Sequence, residues 1–77
     1  MFFLIQYNRK AGRIVSIQRF GDDQRAQAHG VRLQLELDLV RTRQKDEVAL
    51  LDAATEEALR KTHRRYFEDL ATLAAAS

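Results

Sequence analysis

"VRLQLELDLV", residues 31–40, alternates apolar and polar side chains almost without a break. Strict alternation is what a strand buried on one face should show, because successive side chains point to opposite sides of a sheet. The residue types argue otherwise. Leu, Gln and Glu favour helix, whereas strands prefer β-branched and aromatic side chains, which this stretch holds only as its two terminal valines.

Continued as a helix over residues 22–45, the segment sorts its apolar side chains into two groups at 100° per residue. Ala26, Gly30, Leu33, Leu37 and Val40 form one narrow stripe, and Ala28, Val31, Leu35 and Leu39 form a second on nearly the opposite side. A helix with two stripes therefore also reads as period two. The strand alternative would break the helix at Gly30 and pair residues 31–40 with 47–53 through "RTRQKD". Helical spacing also brings Arg32 near Glu36 and Asp38 near Arg41. Gly30 in a helix interior costs about 1 kcal/mol against Ala, which a packed helix can carry. We expect the helix.

Such a helix spans about 34 Å, roughly the diameter of a domain this size. One stripe can cover a sheet, and the other needs the C-terminal helix or a second molecule. Ala28, Val31, Leu35 and Leu39 are the expected interface residues, near a homodimer contact or under the C-terminal helix.

Working outward, "FFLIQY" and "RIVSIQRF" flank "NRKAG" and predict a β-hairpin. A three-residue loop, Lys10-Ala11-Gly12, with Gly12 left-handed pairs Arg9 with Arg13. Tyr7 then faces Val15, Ile5 faces Ile17 and Phe3 faces Arg19. The other face pairs Asn8 with Ile14, Gln6 with Ser16 and Leu4 with Gln18. "FGDDQRAQ" predicts the helix start, with Asp22 or Asp23 as N-cap. "DEVALLDA" has strand length. "TEEALRKTHRRYFEDLATLAAA" predicts a helix capped by Thr55, with its stripe at Leu59, His63, Tyr66, Leu70 and Leu73.

The expected architecture is one α+β domain over residues 1–77, in the order β-β-α-β-α, with residues 74–77 frayed. It pairs a third strand with the hairpin and sets both helices on the face bearing Phe3, Ile5, Tyr7, Val15 and Ile17. The 77 residues include no cysteine, which excludes disulfides and thiolate metal sites and fits a cytoplasmic location. "MFFLI" lacks the basic start of a signal peptide and is far short of a membrane span, so no membrane partner is expected.

Residues 1–21 hold Arg9, Lys10, Arg13 and Arg19 and no acid, a net of +4, whereas residues 46–77 hold seven acids and four bases. The hairpin cations are the candidate polyanion contacts, since basic ribbons can track phosphates. In "RKTHRR" each base has an acid four residues away: Glu56–Arg60, Glu57–Lys61, Arg64–Glu68 and Arg65–Asp69. That pattern describes a solvated helix face.

His63 has no second ligand at metal-binding spacing and is read as a packed structural histidine. Asp46, Glu47 and Asp52 lack any known cation-loop spacing. There is no phosphate-cradling glycine loop and no nucleophile–base motif, so neither an enzyme, a metal nor a cofactor is expected. The sequence points to a non-catalytic interaction module that forms a homodimer or binds another protein. The alternative is a small nucleic-acid binder using the hairpin, which is not expected to hold duplexes at physiological salt.

Overall fold

Three consecutive side chains near the N-terminus, Phe3, Leu4 and Ile5, are all buried, at 0, 1 and 0% exposure. Neighbouring residues of a strand face opposite ways, so this run is covered on both faces. In the computed structural model, which describes residues 1–67, it forms the central strand of a sheet. Strand β1 (Phe2–Asn8) lies between β2 (Arg13–Phe20) and β3 (Glu47–Asp52), and both pairings are antiparallel. Helix α1 (Arg25–Thr42) joins β2 to β3, and α2 (Glu56–Thr62) and the short α3 (Arg64–Phe67) follow β3. The α+β class and the order β-β-α-β-α are those expected, and residues 31–40 are helical.

The helices do not share a face. Leu4, Phe20 and Ala28 form one cluster, joined by Phe2, Val31, Leu35, Val48 and Leu50 beneath α1. Phe3, Ile5, Leu59 and Tyr66 form the other, joined by Tyr7, Ile14, Ile17, Ala49 and Leu51 beneath α2 and α3. The expected placement of both helices over Phe3 and Ile5 is thus corrected. A central strand apolar on both sides needs two covers, and each helical segment supplies one.

The hairpin register holds from Phe3↔Arg19 to Gln6↔Ser16, then shifts. Tyr7 faces Ile14 and Asn8 faces Arg13, leaving Val15 as the extra residue of a bulge. Val15 is 53% exposed, and Ile14 takes the core position expected of it. The loop is correspondingly Arg9–Gly12. Asn8 closes it: its carbonyl accepts from Gly12 N at 2.8 Å, and its Oδ1 accepts from Ala11 N at 2.8 Å. Gly12 is left-handed as expected, at φ 69°.

Asp22 and Asp23 do not cap the helix; they lie in a 3-10 turn, Asp22–Gln24, that leads into α1. Gln24 folds back instead, its Oε1 accepting from Gly21 N at 2.8 Å. Asp22 pairs with the Met1 ammonium, which also lies 3.4 Å from Asp52. The hydrogen bond to Asp22 is the main reason that the ammonium pKa lies above its ordinary value of 8.0. Helix α1 ends at Arg43, whose φ of 60° is left-handed, with Gln44 N donating to Leu39 O at 2.9 Å.

Thr55 caps α2 as expected, accepting from Ala58 N at 3.1 Å. The single C-terminal helix is interrupted at His63, whose backbone (φ −125°, ψ 51°) is not helical. Leu59 and Tyr66 are both buried, the expected stripe, whereas Leu70, Leu73 and the fraying assigned to 74–77 lie outside the described residues.

Leu59 is the fully buried anchor of α2, so Leu59→Ala is expected to cost about 3 kcal/mol, read as a shift in urea-unfolding midpoint. Arg43→Gly should act the other way, gaining about 1 kcal/mol by removing a side chain from a left-handed position. The same unfolding curves report both.

Candidate interaction surface

Each turn of α1 presents one apolar group to the sheet and another to solvent. Ala28 is fully buried and Leu39 is 7% exposed, while Val31 and Leu35 are half-buried against the cluster of Leu4, Phe20 and Ala28. The four residues expected near a homodimer contact or under the C-terminal helix thus lie on the inward side of α1, Ala28 and Leu39 buried and Val31 and Leu35 partly so. The reason is the even-numbered face of β1, whose Leu4 and Phe2 need a helix above them.

The stripe left outside is Ala26, Gly30, Leu33, Leu37 and Val40. Leu33, Leu37 and Val40 are 57, 48 and 76% exposed, and Ala26 and Gly30 are exposed as well. The intervals along it are 4, 3, 4 and 3 residues, the spacing that coiled-coil seams use; in that notation Gly30 and Leu37 fall at a and Ala26, Leu33 and Val40 at d. Polar residues border it: Gln27, Gln34 and Arg41 on one side, His29 and Glu36 on the other. Arg32–Glu36 at 3.8 Å and Asp38–Arg41 at 3.9 Å are the ion pairs that helical spacing predicts, both too long to be hydrogen bonds.

Gly30 has no explanation inside the monomer. A Cβ built on it meets nothing within 4 Å, so neither crowding nor backbone conformation calls for glycine there.

The basic hairpin divides. Arg19 lies at the far end of β2 and bonds Glu56 through Nη2 at 2.7 Å, so it does not join the other cations. Arg9 sits at the tip, 3.5 Å from Glu47. A cleft of about 740 Å³ there is lined by Asn8, Arg9, Lys10, Gln44, Lys45 and Asp46. Lys45 was missed from sequence because it belongs to the loop before β3. Only the pairing of Glu47 with Tyr7 returns that loop to the hairpin tip. The same pairing brings Asp46 and Glu47, which offset much of the positive charge. Asp46 accepts from Gln6 Nε2 at 2.7 Å, and Glu47 accepts from Tyr66 Oη at 3.1 Å.

Aromatic rings are committed elsewhere. Tyr7 packs edge-on against Tyr66, with centroids 5.2 Å apart, and Phe20 is buried beneath α1. His63 is half-buried, its ring 6.4 Å from that of Tyr66. Asp46 and Glu47 sit at one end of β3 and Asp52 at the other, about 17 Å apart for a strand of that length. Among the described residues, no three His, Cys, Asp or Glu side chains are grouped to hold a metal ion.

On the outer face of α2, Lys61 pairs with Glu57 at 3.5 Å. Glu56 turns to Arg19 instead of Arg60, whose guanidinium lies 4.6 Å over the Phe67 ring. The pairs expected for Arg64 and Arg65 involve residues outside the described range. No helix among the described residues is long and apolar enough to cross a membrane. No protein-family model, curated protein or solved structure matches the chain.

Adjacent positions on α1 should respond oppositely. Leu39→Ala is expected to cost about 2–4 kcal/mol of monomer stability, whereas Val40→Ala should stay within about 0.5 kcal/mol. Chemical unfolding at low protein concentration measures both.

Proposed function

We propose that this chain is a non-catalytic self-association module, and that its homodimer contact is the outward face of α1. The observation that carries this reading is the row Leu33, Leu37 and Val40, apolar and exposed, continued at coiled-coil spacing by Ala26 and Gly30. Burying a Leu or Val is worth about 1.5–3 kcal/mol, which matters to a chain this small. The seam from residue 26 to residue 40 is only about 21 Å long. A contact this short is small beside the ~800 Å² per partner of standard complexes, and we expect association in the micromolar range. The lack of cysteine accords with the reducing cytoplasm as its setting.

A nucleic-acid role for the hairpin is the weaker reading. Its tip gathers Arg9, Lys10 and Lys45 but also Asp46, with Glu47 beside Arg9. Among the described residues the aromatic ring nearest the tip in sequence, Tyr7, is packed edge-on against Tyr66 and does not offer a face on which bases could stack.

Light scattering at high micromolar concentration should give the mass of a dimer. Leu37→Glu should give a monomer with unchanged circular dichroism, because about half of that residue lies open to solvent on the outer face of α1. Arg9→Ser with Arg13→Ser should leave the dimer intact. A wild type that is monomeric under these conditions removes the proposal, and salt-sensitive micromolar binding to a short duplex would replace it with the hairpin reading.

A further inference from the structure

We infer that the two copies meet through parallel, in-register α1 helices, with Glu36 of each facing Arg41 of the other across the seam. This rests on the self-association reading and adds the partner surface, its direction and its register.

The argument begins from the borders of the stripe. Glu36 immediately precedes Leu37 and is a g residue; Arg41 immediately follows Val40 and is an e residue. In a parallel pair a g side chain meets the e side chain five residues further along the other helix. Glu36 therefore meets Arg41, twice by symmetry, and the opposing charges attract. His29 meets Gln34 in the same arrangement, so no like charges are brought together. Glu36 and Arg41 are 46 and 75% exposed, and their existing ion pairs are long, so both can turn toward a partner.

Antiparallel arrangements fit the same stripe less well. The register that sets Gly30 against Val40 and Leu33 against Leu37 also sets Glu36 against Glu36, and like charges at these positions oppose pairing. The register that sets Gly30 against Leu33 leaves Val40 uncovered, although it is the most exposed large apolar side chain among the described residues. Only the parallel arrangement covers the whole stripe and satisfies its charges.

Gly30 acquires a role in this arrangement. With Ala26 one turn before it, it makes the first half of the seam small, which lets two helices approach closely. The sheet sides of both α1 helices then face outward, each still covered by its own strands, and a two-fold axis along the seam closes the assembly.

The chain contains no cysteine, so a single introduced thiol reports geometry without background. Val40→Cys, oxidised under non-denaturing conditions and run on a non-reducing gel, should yield a covalent dimer. A disulfide needs Cα atoms within about 7 Å, which parallel in-register packing provides. In the two antiparallel registers above, the two positions 40 are separated by about 15 Å or more along the axis. In the remaining one, which sets Leu37 against Val40 and leaves Ala26 and Gly30 uncovered, positions 30 are about 25 Å apart. The parallel arrangement therefore also requires a Gly30→Cys chain to cross-link with itself. Failure of the Val40→Cys chain to cross-link, in a sample that light scattering shows to be dimeric, overturns the parallel arrangement and leaves self-association standing. A disulfide that forms only when that chain is mixed with a Gly30→Cys chain overturns it in favour of the antiparallel register. A monomeric sample removes both readings at once. As a second arm, Glu36→Arg should raise the dissociation constant about fivefold, from two exposed charge pairs lost. Combining it with Arg41→Glu should restore the wild-type value; no restoration overturns the assigned contact.

Discussion

The burial of β1 on both of its faces is the constraint on which the rest of the molecule depends. Phe3, Leu4 and Ile5 are consecutive, large and apolar, and a strand cannot hide three such residues against a single layer. They force β1 into the centre of the sheet, and they force helical cover onto each side of it. Leu4 and Phe20 draw α1 down by Ala28, Val31 and Leu35. Phe3 and Ile5 draw in Leu59 and Tyr66 from the opposite side. The return of β3 to the free edge of β1 completes the ladder, with Leu50 opposite Leu4 and Leu51 opposite Phe3.

That division of labour leaves a remainder. Among the described residues the helical cover beyond the strands is α1 on one side and α2 with α3 on the other, and each is consumed by one face. Had α2 and α3 packed beside α1, its outer stripe could have been hidden within the monomer. Because they lie across the sheet instead, Leu33, Leu37 and Val40 stay largely exposed in the described fold. Small domains are marginal because so little of their surface is buried, and a second copy is a direct way to bury more. The exposed stripe thus follows from the same residues that place β1 in the middle.

The edges of the sheet are handled by local devices. The bulge at Val15 lies in the ladder between β1 and the edge strand β2, and Arg13 and Arg19 add charge to the same strand. Bulges and charges on an edge discourage unwanted strand pairing. It is therefore a helix face rather than a strand edge that offers a regular apolar surface. The cations once grouped by sequence alone serve separate ends: Arg19 ties β2 to the start of α2 through Glu56, while Arg9 lies beside Glu47 at the loop.

The sequence by itself determined the elements and their order. Residue preference decided for helix over residues 31–40 against their alternation, and the left-handed Gly12 and the Thr55 cap were legible because both are set by local backbone chemistry. It also determined that α1 carries two apolar stripes. Which stripe lies inside was decided only by tertiary structure, because both stripes have nearly the same composition and no local rule ranks them. The choice depends on the direction from which α1 crosses the sheet. The bulge at Val15 was hidden for a related reason: both registers place apolar residues beside Tyr7, and only packing against Leu59 and Tyr66 prefers Ile14. The break at His63 and the arrival of Lys45 at the hairpin tip likewise follow from contacts between segments distant in sequence. Local physics specifies what each segment becomes; which of its faces is buried depends on what the other segments leave uncovered.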